Sequence, residues 1–387
     1  MKRPLTIGYI TVDDPRDRRS WSGTNSFLLD ALEHEVERVV ILGPLKPQPI
    51  LFLCRVFNQI TLRLLGKRFN YRDSFLLSRA YARILHHRIA QQPLDLLIAP
   101  AGLATTAMLK TSVPIVYFND RSVAGALDYH KVLKDLLTFS REQSLALEKA
   151  AIENASLVVY ASQWAADAAT TAVPSAAQKI KVVPMGANLL EIPPAPSPRD
   201  FPPTKLKLLL LGVNWEDKGG PIAYEALVEL KRRGHSVQLV VCGCEPPASC
   251  NDVDLVREGF LNKNVPAEMD RLVQHLRTAD VLVVPTRFEA YGIVFCEAAA
   301  YGLPVMATRT GGVPTIVQEG VTGNLFSLEQ GGRAYADAIE ALINDPAKWQ
   351  AMRNSARKRY EDVLNWDAFV ERVFAHVEEA GLISKER

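Results

Sequence analysis

Ten short runs of β-branched and leucine-rich residues constrain this chain more than any other feature, because they are near-continuously apolar. They are LTIGYI (5–10), RVVILG (38–43), LDLLIAP (94–100), PIVYFND (114–120), LVVYAS (157–162), IKVVPMG (180–186), KLLLLG (207–212), VQLVVCG (237–243), VLVVPT (281–286) and PVMATR (304–309). A strand covered on one face alternates apolar with polar; a continuous run needs cover on both faces, which a parallel sheet receives from its crossover helices. Helical stretches separate the runs, so the expected class is α/β with doubly wound parallel sheets. The proline-dense stretch EIPPAPSPRDFPPTK (191–205) can continue neither a helix nor a central strand and reads as a linker. The expected organisation is therefore two Rossmann-like domains, 1–190 and 206–364, facing each other across a cleft. The final segment, 365–387, opens with an amphipathic helix whose apolar side carries Trp366, Phe369, Val370, Val373 and Phe374, a candidate to pack back on the first domain.

A length of 387 residues suits two domains, and a formal charge of +2 gives no footing for a nucleic-acid partner. The five cysteines, at 54, 242, 244, 250 and 296, are odd in number and read as reduced thiols. CGCEPPASC lacks the ligand spacing of a structural zinc site, so no metal is expected there. MKRPLTIGYITVDD leads directly into a strand-like run without the order of a signal peptide, and no run approaches ~20 apolar residues, so a cytoplasmic location is expected. Residues 46–88 depart from the average: nine cations stand against Asp73 alone, a local +8 interleaved with Phe52, Phe57, Leu64, Leu65 and Phe75. Such a region either packs helices on the core behind a solvated basic face or lies against an anionic membrane surface.

Neither G-x-G-x-x-G nor G-x-x-x-x-G-K-[ST] occurs, which removes the common dinucleotide and triphosphate signatures. Two strand exits remain. KLLLLG ends in GVNWEDKGGP, where Gly212 allows a tight exit and Lys218 precedes a Gly pair and a helix opening near Pro221. A cation beside a helix N-terminus is a good diphosphate site, although a Lys-Gly-Gly turn alone is more often only a turn. VLVVPT ends in RFEAYGIVFCEAAAYGLP, with a helix expected from near Ile293 to Tyr301 and Gly302 as its cap. Glu289 and Glu297 are eight residues apart, and on one helix they would differ in direction by ~80°. Glu289 instead belongs to the loop and Glu297 to the second turn. The amides of Gly292, Ile293 and Val294 lie between them with no intrahelical acceptor, arranged for a phosphate flanked by hydroxyl-bearing groups.

With GVNWEDKGG before it and TRTGGVPTIVQEGVTGNLF after it, this string closely resembles the retaining glycosyltransferases of family four, the glycosyl transferases group 1, on the GT-B fold. The resemblance covers about 206 to 350 and continues more weakly through WSGTNSFLLDALE, VVYASQWAADAA and KVVPMGAN. It implies a nucleotide-sugar donor (UDP-, GDP- or ADP-linked), a glycan or lipid-linked acceptor, polysaccharide or glycolipid synthesis, and no obligatory cofactor. Residue by residue, it assigns Glu297 to the ribose hydroxyls and Glu289 to the transferred sugar or to bracing the site. Lys218 and the amides around Tyr291, Gly292 and Ile293 take the departing diphosphate. The backbone of EGFLNK, including Phe260 and Leu261, lines the base, and the Gly23 loop approaches the donor phosphates.

Two departures stand out. No Arg lies between Gly212 and Gly220, where the family commonly places one; Arg287, Arg309 or a divalent ion on Asp217 are the candidate replacements. Asp120 occupies a position where many relatives carry His. It is a candidate to contact the sugar or take the acceptor proton, with the alternative that Asn119 or Asp120 merely caps the next helix. His130 is a candidate for the acceptor side, Trp164 for packing between the domains, and His86, His87 and His235 for the surface. The implied reaction is front-face transfer without a covalent nucleophile. A sugar-nucleotide epimerase or hydrolase on the same fold, or a non-catalytic nucleotide-sugar-binding subunit, are the alternatives.

Overall fold

The computed structural model describes residues 2–383 apart from Asp128 and His130, and the backbone alone of Lys131 and Val132. The chain divides into two units, one running to Pro184 and resumed from Trp366, the other Met185–Asn365.

The first unit holds a sheet of β1 (Arg3–Tyr9), β2 (Val36–Ile41), β3 (Leu96–Pro100), β4 (Ile115–Asn119), β5 (Leu157–Tyr160) and β6 (Ile180–Val182) in the order β2-β1-β3-β4-β5-β6. The second holds β7 (Leu206–Leu211), β8 (Val237–Cys242), β9 (Leu255–Gly259), β10 (Val281–Val284), β11 (Val305–Thr308) and β12 (Gly323–Phe326) in the order β12-β11-β10-β7-β8-β9. Every pairing in both sheets is parallel. β3, β4, β5 and β10 are buried along their whole length, which is why their sequences need no alternation.

The order of each sheet reverses once. In the second unit the chain lays β8 and β9 on one side of β7, then returns to place β10 on the other, with Val281 and Leu282 beside Leu208 and Leu209. Loops leaving β7 and β10 therefore diverge over the same point, the position where open α/β sheets bind ligands.

The proline-dense stretch is not a free linker. Its carbonyls serve as acceptors: Arg353 Nη1 donates to Ser197 O at 3.2 Å and Arg357 Nη1 to Pro193 O at 2.8 Å. Phe201 stacks on Trp349 at 4.0 Å, and Arg199 pairs with Asp280 at 2.9 Å. Prolines lack the N–H that a sheet requires but keep a carbonyl and an apolar ring, so the stretch is strapped to the second unit. The expected boundary at 190 accordingly moves to Pro184. The helix Trp366–Glu379 joins the first unit, with Phe369 4.8 Å from Phe118 and all five expected apolar residues buried.

The two helices of the basic region differ. Phe75–Ile89 buries Leu77, Ala80, Tyr81 and Leu85 in the ordinary way, whereas Gln48–Leu65 buries only Cys54 and Thr61.

Candidate functional site

At the switch point of the second unit, two loops are stitched together by their backbones. Asp217 N donates to Asn214 Oδ1 at 2.8 Å, closing a local turn, while Asp217 O accepts from Arg287 N at 2.8 Å and Thr286 Oγ1 at 3.1 Å. This side-chain turn is what sets Lys218 at the exit of β7. Gly219 then starts the helix Gly220–Arg232 at φ 71°, and a Cβ there would stand 2.0 Å from Pro285 O. Only glycine tolerates both that backbone and that approach. The stitching brings Lys218 Nζ onto Glu289 Oε2, a part-buried ion pair that sequence spacing could not show, since the two are 71 residues apart.

Gly292 is the N-cap of the helix Ile293–Ala300, at φ 100°; a Cβ would meet Phe295 at 2.5 Å and Glu289 Cγ at 3.1 Å. The first amides of this helix have no intrahelical acceptors and carry the positive end of its dipole. They lie next in sequence to Glu289, whose carbonyl accepts from Gly312 N at 3.3 Å. Tyr291 contributes backbone only: its side chain is buried, donates to Met185 O at 2.9 Å, and burial pushes its phenol well above the ordinary range. Cys296 packs behind it, its thiol raised by burial to about 12.

Glu297, in the second turn, is buried and accepts from Lys263 Nζ at 2.7 Å. Lys263 comes from the loop after β9, which also presents an exposed Phe260 and a buried Leu261. Sequence reasoning took only the backbone of this loop and missed the lysine side chain; a cation 34 residues from its partner leaves no local signal. Glu289 and Glu297 each hold one lysine. Together these lysines and the helix N-terminus make a surface suited to an anion between two carboxylates that accept from hydroxyl groups. Arg309 pairs with Glu319 at 2.8 Å, whereas Arg287 has an exposed side chain on a backbone already tied to Asp217. Among the described residues no group of three or more His, Cys, Asp or Glu side chains is placed to hold a metal ion. All five cysteines are free and buried.

The first unit carries Asp120 at the exit of β4. Trp21 Nε1 donates to its Oδ2 at 3.1 Å, and Asn119 Oδ1 accepts from its amide at 3.0 Å. Burial pushes the Asp120 carboxyl above the usual carboxylate range, opposed by Arg121 and by the indole. Trp21 and Ser22 adopt φ 47° and 56°, left-handed values that side chains seldom accept, just ahead of Gly23, the N-cap of the helix Thr24–Glu35. This strained turn turns the indole onto Asp120 and, at 5.7 Å, toward Phe118. Trp21 was not anticipated from sequence; an aromatic in a polar loop carried no pattern.

Capping is not the job of Asn119 or Asp120. The short helix Val123–Ala126 is capped by Glu148, whose carboxylate accepts from Val123 N at 2.6 Å, Ala124 N at 3.0 Å and Ser122 Oγ at 3.1 Å. Asn119 instead donates to Tyr117 OH at 2.9 Å. Trp164 packs on Tyr129 at 5.2 Å within the first unit. His86 and His87 are exposed, and His235 contacts Glu340 at 2.8 Å. His130 lies outside the described residues.

Residues 195–359 match the family model of glycosyl transferases group 1. Over 180 residues the chain is 32% identical to a D-inositol 3-phosphate glycosyltransferase of Arthrobacter sp. (strain FB24), covering 43% of this chain and 42% of that protein. Over 161 residues it is 32% identical to a GDP-mannose-dependent alpha-(1-6)-phosphatidylinositol monomannoside mannosyltransferase of Mycolicibacterium smegmatis, covering 38% and 41%. The chain spans about half or less of the length of these curated relatives. Among solved structures, sucrose-phosphate synthase from Thermosynechococcus elongatus superposes with TM-score 0.65 at 19% identity, covering 99% of this chain and 100% of that one. Anabaena HepE, solved with UDP and glucose, gives 0.60 at 15% identity, covering 97% and 100%. These likenesses show the fold, α/β of the GT-B kind.

Proposed function

We propose, from the match of residues 195–359 to the family model of glycosyl transferases group 1, that this chain is a retaining glycosyltransferase moving a sugar from a nucleoside-diphosphate donor to an acceptor hydroxyl. The observation that carries the reading is the convergence, at one switch point, of the Lys218–Glu289 pair, the Gly292-capped helix and buried Glu297. Glu297 takes the ribose hydroxyls, with Phe260 and Leu261 along the base. The diphosphate sits on the amides of Gly292 and Ile293, with Lys218 and Gly212 at its side. Glu289 braces Lys218 and faces the transferred sugar. Within the first unit, Asp120 is the candidate to take the acceptor proton and Gly23 the candidate phosphate contact.

The bond from the anomeric carbon to the diphosphate oxygen breaks, and its electron pair leaves on the diphosphate. The acceptor oxygen bonds the carbon from the same face, and its proton passes to Asp120. A carboxylate whose proton affinity is raised by burial is a stronger base than an ordinary one and better suited to take that proton. Catalysis rests on stabilising the charge that grows on the leaving oxygen, which a positioned ammonium and helix amides do without reorganising. The acceptor is a glycan or lipid-linked hydroxyl in polysaccharide or glycolipid synthesis. HepE has been solved with UDP-glucose, and the Mycolicibacterium relative is named for GDP-mannose; both bases belong in the test. Incubation with UDP-, GDP- and ADP-sugars and a panel of acceptors is expected to release free nucleoside diphosphate for one donor class. Donor binding without release across all acceptors would sink the reading in favour of a binding subunit.

A further inference from the structure

The helix Gln48–Leu65 is unlike the other long helices of the first unit in what it leaves uncovered. Phe52 is 66% exposed, Leu53 61% and Leu64 77%, and Val56, Phe57 and Ile60 are exposed between them. At about 100° per residue these six side chains occupy one arc of roughly 140°, opposite the Cys54 and Thr61 side that faces the core. The arc continues off the helix: Phe57 meets Phe69 at 5.2 Å, and Phe69 meets the exposed Phe139 at 5.7 Å. A contiguous apolar surface of this kind marks a place where something binds.

Its rim identifies the occupant. Arg55 borders the arc, Arg63 projects from within it, and Lys67, Arg68, Arg72 and Arg79 follow, all exposed, while the helix carries no acidic residue. Arg68 is held there by its backbone, its amide donating to Asp135 O at 2.7 Å and its carbonyl accepting from Leu137 N at 2.9 Å. A protein surface built from matched charges would not ask for nine cations against one acid in a chain of net charge +2. Cations around an apolar stripe suit the headgroup and acyl boundary of an anionic bilayer. Among the described residues no helix is long and apolar enough to cross a membrane, so the helix would lie in the plane of the interface.

We propose that residues 48–68, with Phe69, Phe139 and the cations around them, form a docking surface that seats the first unit on an anionic membrane. Such seating gives a transferase access to an acceptor that does not leave the bilayer, and in that respect it extends the reading above. The test involves no donor and no transfer, so its failure is distinguishable from failure of the glycosyltransferase reading.

The full chain is sedimented with phosphatidylcholine vesicles and with vesicles in which roughly one lipid in three is phosphatidylglycerol. Wild type is expected to partition onto the anionic vesicles at least ~10-fold more strongly than onto neutral ones, and to be released by raised salt. Phe52→Ser with Leu64→Ser should lower partitioning ~10-fold or more, and Arg55→Gln with Arg63→Gln should reduce the preference for anionic lipid. These positions are exposed, so unchanged thermal unfolding is the accompanying control. The proposal is overturned if wild type stays in solution at low salt, or if the Phe52/Leu64 variant partitions equally. It is overturned as well if light scattering shows a wild-type dimer that this variant dissolves while vesicles retain neither, which assigns the surface to a second copy.

Discussion

Asp120 and Glu289 each leave the C-terminal end of an interior strand, one in each unit, yet they are held in opposite ways. Glu289 meets an ammonium, Lys218, brought to it by two loops sewn together through the carbonyl of Asp217. Asp120 meets a neutral indole, and desolvation outweighs that bond and the charge of Arg121, so its carboxyl is raised. The first arrangement keeps charge in place; the second makes a group ready to take a proton. Under the proposed transfer, the first property suits a departing diphosphate and the second an acceptor's proton.

Removing the cation should break the comparison hardest. Lys218→Ala is expected to lower kcat about 10³-fold, the scale of losing one preorganised donor at developing negative charge. It also leaves Glu289 part-buried without its ammonium. A double-mutant cycle with Glu289→Gln checks this: full additivity would mean the pair does not work as one unit.

Asp120→Asn comes next, with a loss of about 10²-fold in kcat and little change in donor KM. Because the working group must be ionised, the acidic limb of kcat should sit above the ordinary carboxylate range in wild type and vanish in the variant. The stability sign is opposite. A carboxyl whose folded value is raised contributes stability below its unfolded value and loses it as pH rises through the folded value. At neutral pH Asp120→Asn should therefore unfold at the same or a higher temperature than wild type. A lower melting temperature together with unchanged kcat would make Asp120 a structural residue.

The contrast between these two carboxylates was only partly legible in the sequence. Buried strands announce themselves, and ten of the twelve strands among the described residues follow from continuous apolar runs. The two that escaped, β9 (LVREG) and β12 (GNLF), are the edges of the second sheet, where one side faces solvent and polar residues are admitted. Gly219, Gly292, Lys218 and the two glutamates were legible because their spacing measures local structure: a strand exit, a cap, a helical turn. Lys263, Trp21 and Glu148 were not, because each acts across 26 to 99 residues through a side chain whose own neighbourhood is ordinary. The proline-dense stretch misled in a different way. Its missing N–H groups do exclude it from the sheet, but they say nothing about its carbonyls, which the arginines of Pro346–Asp362 collect.

Glu297 sharpens the comparison from a third side, since it is the most buried of the three carboxylates and its partner Lys263 is part-exposed. Glu297→Gln keeps the shape and removes the charge, and should weaken nucleoside-diphosphate binding about 10- to 100-fold, the scale of the ~1.5–3 kcal/mol of a charged hydrogen bond. Calorimetry reads this directly; unchanged affinity would remove Glu297 from the ribose.

The smallest expected effect isolates the indole. Trp21→Phe keeps an aromatic ring near Phe118 but deletes the donor to Asp120. A bond that favours the ionised carboxylate lowers its pKa, so its loss should move the acidic limb of kcat further up. The rate on the acidic side of the limb should fall and recover as pH is raised. Donor affinity should not change. The variant also separates the two duties of the left-handed turn at Trp21 and Ser22. If the turn exists to aim the indole, the limb moves while the melting temperature holds. If it exists only to seat the ring on Phe118, the limb stays where it was, and the indole does nothing to offset the burial that raises Asp120.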